Sequence, residues 1–171
     1  MPKRRRSELF PALLPALVTA VVVTLLYGIL WVLGIAFLSS GSSIVLFTAF
    51  GASAFLLFTA PHSPASRLDK FVKSYIIAAI LGPIGYLLAG FVTVFIAIGI
   101  MVFVMSALLY ATRSEHPPAI GIMLAFIIYR IDIYGALLVV LGVLIIITAR
   151  LLIGKRLYAI DMDIEKPNML R

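Results

Sequence analysis

The sequence predicts an all-α fold, a polytopic bundle of about six transmembrane helices, and three observations carry that prediction. The 171 residues are 63% hydrophobic with a mean hydropathy of +1.18, whereas soluble domains run at roughly 45–50% apolar. Charged residues make up only 12% and gather at the N-terminus, in 67–73, around 113–116, at 130–132 and from Arg150 onward. The uncharged runs between those clusters are mostly of the length a helix needs to cross a bilayer, about 20 residues. The chain therefore divides into a basic N-terminus over 1–12, a helical bundle over 13–153 and a short tail over 154–171.

The first span runs from about Leu13 to Leu38 and opens with Pro11 and Pro15, which a helix accepts in its first turn, where an N–H has no partner. Ser39, Ser40, Gly41, Ser42 and Ser43 end it. The basic run Lys3 to Arg6 imitates a signal peptide, but the apolar stretch is too long for an h-region and lacks a small-x-small exit, so it is read as an uncleaved span. The second span, Ile44 to Ala60, carries the small-residue run Ala49-Phe50-Gly51-Ala52-Ser53-Ala54, which lets helices approach closely in lipid. Pro61-His62-Ser63-Pro64 stops it.

A polar loop with Arg67, Asp69, Lys70 and Lys73 precedes a third span, Tyr75 to Leu88, in which Gly82-Pro83-Ile84-Gly85 predicts a kink or break. The fourth, Phe91 to Tyr110, follows so closely after Gly90 that spans three and four form a tight antiparallel hairpin. Thr112 to Pro118 is the next polar loop. Ala119 to Tyr129 is an apolar run too short for an ordinary crossing, either a short tilted span or a re-entrant half-helix. The last span, Ile133 to Ile153, is aliphatic except for Arg150, which can snorkel to the interface; Gly154-Lys155-Arg156 closes it.

With Lys3 to Arg6 in the cytoplasm and six crossings, Arg67, Lys70, Lys73, Arg113, Lys155 and Arg156 all fall on the cytoplasmic side and only Arg130 outside, as the positive-inside rule prefers. The expected location is thus the cell membrane, with both termini cytoplasmic. The net charge of +7 is read as these orientation signals and not as a nucleic-acid surface. A faint repeat aligns Ser53 to Thr59, leading to Pro64, on Ser106 to Thr112, leading to Pro117; repeated helical hairpins are one transporter architecture.

The residues that carry chemistry are few. Glu115-His116-Pro117-Pro118-Ala119 joins two ionisable groups to two prolines directly before an apolar helix. Read functionally, the helix start with His116 and Arg113 recruits a small anion. Read structurally, Ser114 or Glu115 caps the helix and Arg113 is an orientation charge. His62 and Ser63 end span two on the same side, so that His62 and His116 either face one vestibule or stand apart in separate loops. Gly51, Ser53, Thr48 and Thr59 either line a polar pathway or pack helices. Arg130 and Asp132 form a local ion pair or stay as surface charges. Cysteine is absent, which excludes disulfides and thiolate sites. The two histidines, Glu115 and Asp69 are too scattered for a metal site. No cofactor is expected, and with no catalytic constellation the chain is not expected to be an enzyme.

The segment Phe50 to Phe58 with its Phe-Gly-Ala-Ser start, the turn Ala60-Pro61-His62-Ser63-Pro64 and His116-Pro117-Pro118-Ala119 before a short apolar run, in that order, resemble the HPP family of integral membrane proteins over roughly residues 40–153. The resemblance implies a compact helical bundle proposed to transport solutes, with plastid and cyanobacterial members associated with nitrite, and marks Gly51, Ala52, Ser53, Pro61, Pro64, His116, Pro117 and Pro118. The chain departs from the family pattern at Arg67-Leu68-Asp69-Lys70 and Lys73-Ser74-Tyr75, where relatives often carry Pro-Arg-Asn and Gly-His. It departs again at Ile120-Gly121-Ile122, where relatives usually continue Gly-Ala-Thr. Polar groups suited to a substrate are among those replaced. Some relatives add a nucleotide-binding module after the bundle; Lys155 to Arg171 is too short for one.

Two functions follow as expectations. One is a transporter or channel for a small solute, a small anion such as nitrite, with His116, Pro117, Pro118, Arg113, Glu115, Gly51, Ser53, His62 and Ser63 as binding residues. The other is a membrane scaffold or partner subunit without transport. The expected partners are the lipid bilayer, the solute and further copies of the chain in a homo-oligomer.

Overall fold

A computed structural model describes the backbone of residues 4–37 and 43–169 and the side chains of residues 13–32 and 48–154. Among the described residues the secondary structure is wholly helical: α1 Arg4–Phe37, α2 Ser43–Thr59, a 3-10 turn Pro64–Ser66, α3 Leu68–Leu88, α4 Val94–Ala111, α5 Pro118–Ile128 and α6 Tyr134–Met169. Among the described residues four segments are long and apolar enough to cross a membrane, Leu13–Val32, Leu68–Leu88, Val94–Ala111 and Tyr134–Gly154; α2, described in full over Thr48–Thr59, and α5, Pro118–Ile128, are shorter apolar helices. Large side chains such as Phe91, Phe95, Phe103 and Leu152 stand outward, as they do where the solvent is hydrocarbon.

Several boundaries differ from the sequence expectation. Helix α1 is continuous from Arg4, so Pro11 and Pro15 stand inside it and not in its first turn. The linker residues Ser39 to Ser42 lie outside the described residues, as do the side chains of Lys3 to Arg6, Lys155 and Arg156. The polar stretch 68–73 is the first part of α3 and not a loop. Its charged residues share the helix with Phe71, Ser74, Tyr75 and Ala78, all buried, an i, i+3, i+4, i+7 stripe that turns inward while Asp69 and Lys73 face out. The helix is also unbroken through Gly82-Pro83. Helix α6 continues past Gly154 to Met169.

The shortest helix is the centre of the bundle. Ala119, Ile122, Met123, Ala125, Phe126 and Ile127 of α5 are all buried, and α5 packs chiefly on α3, then on α2 and α4. Eleven residues span about 16 Å at 1.5 Å each, less than the roughly 30 Å of a hydrocarbon core. That length is tolerable because neighbouring helices, and not lipid, surround it. The two helices run the same way: His116 meets Phe71 near the start of α3, a Cβ on Gly85 would touch Ile127, and the Arg130 guanidinium lies 5.9 Å from the Tyr86 ring at the far end.

Close approach is bought by glycine. A Cβ on Gly82 would lie 2.5 Å from the Phe126 ring, and one on Gly142 of α6 would lie 2.5 Å from the Phe50 ring of α2. A separate apolar cluster joins Val18 and Val22 of α1, Ala54 and Phe58 of α2, and Ala149 and Ile153 of α6. This puts the start of the α1 span and the end of the α6 span beside the end of α2, where α3 begins and α4 ends. Arg150 sits at that end too. It is buried, with its guanidinium over Gly154, where a Cβ would lie 3.1 Å from Nη1.

Candidate functional site

Six polar side chains are buried among the described residues: Ser53, Ser66, Ser74, Ser114, His116 and Arg150. Two of them, His116 and Ser53, belong to one hydrogen-bonded chain. His116 Nε2 is 2.7 Å from Ser53 Oγ, and Ser53 Oγ is 2.7 Å from the Tyr75 hydroxyl. The Tyr75 hydroxyl also lies 3.2 Å from the Ala49 carbonyl oxygen. On its other side, His116 Nδ1 is 2.8 Å from the Ala65 carbonyl oxygen. Helix α2, the Pro64–Ser66 turn, α3 and the start of α5 are therefore tied through one imidazole.

Local sequence sets each partner. Ser63, the cap of the Pro64–Ser66 turn, accepts from Ala65 N–H, and Ser66 Oγ donates to the Leu56 carbonyl at 2.8 Å. Those two bonds fold the turn against the end of α2 and leave the Ala65 carbonyl for His116. Phe50 and Phe71 flank Tyr75, with ring centroids 5.0 and 4.6 Å away, and Phe71 stands edge-on to His116 at 5.4 Å. The site is thus a polar thread inside an aromatic sheath.

A carbonyl only accepts, so Nδ1 carries a hydrogen. In the neutral ring Nε2 then accepts from the Ser53 hydroxyl, which in turn accepts from Tyr75. Burial pushes the His116 imidazole below its ordinary value of 6.5, while the bond to the Ala65 carbonyl pulls the other way. Neutral imidazole is accordingly the resting form at neutral pH.

The start of α5 differs from a bare helix N-terminus. Pro117 and Pro118 have no N–H, and the first two N–H groups are taken: Ala119 donates to the His116 carbonyl and Ile120 to that of Pro117. No side chain caps the helix, and Pro117 occupies the cap position. Neither Ser114 nor Glu115 serves as cap. Ser114 Oγ is 2.6 Å from Thr112 Oγ1, and Glu115 accepts from Lys70 Nζ at 2.7 Å. The Lys70 bond, followed by the Glu115 backbone N–H, holds that carboxyl below the usual carboxylate range. An anion at this end meets side chains and not a ring of open backbone N–H groups.

The remaining sequence candidates are spread around this thread. Arg113 is exposed and holds φ 51°, and His62 is exposed in the loop after α2. His62 and His116 therefore do not present two rings to one open surface. Gly51 is half-buried with open space beside its Cα. Thr59 Oγ1 donates to the Phe55 carbonyl and the aligned Thr112 Oγ1 to that of Leu108, so the repeated threonines make equivalent bonds. The aligned serines part company: Ser53 is buried in the thread and Ser106 is exposed on α4. Asp132 accepts from Tyr134 N–H at 3.0 Å and starts α6, while Arg130 lies over Tyr86. Tyr75, Phe71 and the Ala65 carbonyl are site members that residue type alone did not reveal.

The family model of the HPP transmembrane region matches residues 5–159. The chain belongs to the HPP family. The match covers the whole bundle and extends the resemblance seen over residues 40–153 in both directions. It identifies an HPP transmembrane protein whose His116-Pro117-Pro118 motif supplies both the buried imidazole and the start of the central helix. No curated protein and no solved structure matches the chain.

Proposed function

We propose that this HPP-family protein carries a small solute, a small anion such as nitrite, across the cell membrane, at a site formed where His116, Ser53 and Tyr75 join α2, α3 and α5. The observation that carries the reading is the fully buried His116–Ser53 bond, 2.7 Å long, which joins a side chain of α2 to one just before α5 inside the bundle. An ionisable group buried inside a membrane protein is costly and is by default a functional-site hypothesis. At the same end Arg67 and Lys70 are paired with Asp69 and Glu115, and Lys73 and Arg113 leave a net positive charge that favours anions over cations. By the positive-inside rule that end is cytoplasmic, with both termini on that side.

A second reading has its own support. Every polar atom of the thread has a partner within it, so the same bonds would serve a non-transporting scaffold as a pin between helices. The half-open Gly51 face suits self-association in either case, and a homo-oligomer belongs to both readings.

The deciding experiment is uptake of nitrite, nitrate, formate and chloride into proteoliposomes holding the protein or its Ser53→Ala variant. Ser53→Ala is preferred to His116→Ala because His116 is a core residue. Uptake of one anion that is lost in a folded Ser53→Ala protein supports transport at this site. No uptake of any of them by folded, inserted protein favours the scaffold.

A further inference from the structure

The thread has one acceptor more than its resting state needs. With His116 neutral, Nδ1–H donates to the Ala65 carbonyl, Ser53 donates to Nε2 and Tyr75 donates to Ser53. The Ala49 carbonyl, which the Tyr75 hydroxyl also reaches as a donor at 3.2 Å, is then the farther of that hydroxyl's two acceptors, behind Ser53 Oγ at 2.7 Å. It becomes the sole acceptor only if the chain points the other way.

We infer that the Tyr75–Ser53–His116 thread is a reversible proton site, in which uptake of one proton by His116 turns every hydroxyl along it toward Ala49. In the charged state Nδ1–H still donates to Ala65, Nε2–H donates to Ser53, Ser53 donates to Tyr75 and Tyr75 donates to the Ala49 carbonyl. No donor or acceptor is stranded in either state, so the two differ by one proton and by the direction of the chain. The bookkeeping closes by relay. A proton arriving at Tyr75 Oη displaces the original phenolic hydrogen to Ser53 Oγ, and the original Ser53 hydrogen passes to Nε2. Each hydroxyl ends with one hydrogen, and the imidazole ends with two. A serine and a phenol suit this role because each donates once and accepts at the same time.

The surroundings bear on what accompanies the proton. From α2 the thread is met by Ser53, from the turn by the Ala65 carbonyl, and from α3 by Phe71 and Tyr75. The neighbouring carboxylates are engaged elsewhere, Glu115 with Lys70 and Asp69 with Arg67, and Arg113 and Lys73 are exposed. The imidazolium thus has no carboxylate among its described contacts. A small anion is the counter-ion such a site lacks, and on the transport reading it would be carried together with the proton. This coupling rests on the transport reading above; the proton site itself does not.

The test is nitrogen NMR of the full chain, labelled at histidine, in lipid bilayers across a pH titration, with exposed His62 as internal reference. The expected spectrum shows a neutral His116 with its hydrogen on Nδ1, converting to the doubly protonated ring on acidification. Tyr75→Phe removes the acceptor that the charged state needs and leaves the neutral-state bonds to His116 in place. It is expected to weaken proton binding by roughly five-fold, about 0.7 pH unit. A neutral ring with its hydrogen on Nε2, or an unchanged midpoint in folded Tyr75→Phe, overturns the proton site. In proteoliposomes, anion uptake driven by an acidic exterior and blunted in Tyr75→Phe supports coupling. Uptake indifferent to the pH gradient overturns coupling and leaves transport standing. Reversal in the spectra without flux of any anion supports the proton site and sinks the transport reading instead.

Discussion

The ring of Phe126, on α5, occupies the space where a side chain at Gly82, on α3, would have to be: a Cβ there would lie 2.5 Å from Cδ2 and 2.7 Å from Cγ. Phe126 is fully buried, so the ring has nowhere to retreat. Gly82→Val should therefore force the two helices apart and cost about 1–3 kcal/mol, read as a lower thermal midpoint in detergent. Gly99→Val is the matched control for the substitution, and Gly99→Ala for the Cβ alone. No atom lies within 4 Å of the would-be Cβ at Gly99, and alanine is the better helix former, so the midpoint of Gly99→Ala should hold or rise.

Helices α4 and α5 end alike. Arg113 at φ 51° and Arg130 at φ 52° are left-handed; Ser114 N–H then reaches back to the Leu109 carbonyl and Ile131 N–H to that of Phe126. Both are Schellman turns with arginine where glycine is usual. A left-handed non-glycine residue costs roughly 1–2 kcal/mol, partly offset by the backbone freedom glycine gives up on folding. Arg113→Gly is expected to raise the thermal midpoint modestly, and a lowered midpoint would show that the arginine head makes a contact worth more than the strain.

His116 sets a pH dependence of stability. Its folded value lies below the ordinary 6.5 because burial disfavours the charged ring, so the unfolded chain takes up the proton first as pH falls. Stability is fully present above about pH 6.5 and declines as pH drops from there toward the folded value. Glu115 shifts the same way from 4.5 and adds a small loss at more acid pH, small because the pair is exposed. Thermal midpoints measured across this range should fall below pH 6.5 in the natural protein and flatten there in His116→Gln.

The absence of cysteine makes orientation directly testable. Single cysteines at His62 and Ile133, both exposed and at opposite ends of the bundle, should label from the cytoplasmic and the external side respectively in intact cells. Labelling of both from one side would contradict six crossings.

What the sequence makes legible, and what it hides, divides by chemistry. Apolar length shows the helices, and charge clusters show the ends where they turn. Ser53 and His116 stand out because each is a polar residue beside long apolar runs. Tyr75 does not stand out, since a tyrosine at the edge of an apolar run is ordinary at a membrane interface. The spacing Phe71, Tyr75, Ala78 behind Asp69 and Lys73 is the one signal that places it inside. The Ala65 partner is a backbone carbonyl, which every residue carries. The closed start of α5 depends on where the chain enters the helix, and two prolines in a row leave that geometry open until the turn is seen.

The sequence separation of 63 between Ser53 and His116 also separates them in time. A ribosome delivers α2 and α3 to the membrane well before it has made residue 116, and in that interval Ser53 and Tyr75 have only each other and nearby backbone for partners. The short α5 arrives last of the three and finds its slot already lined by Gly82 and Gly85. The buried polar thread is therefore complete only once the start of α5, which follows α4 in the chain, has been made.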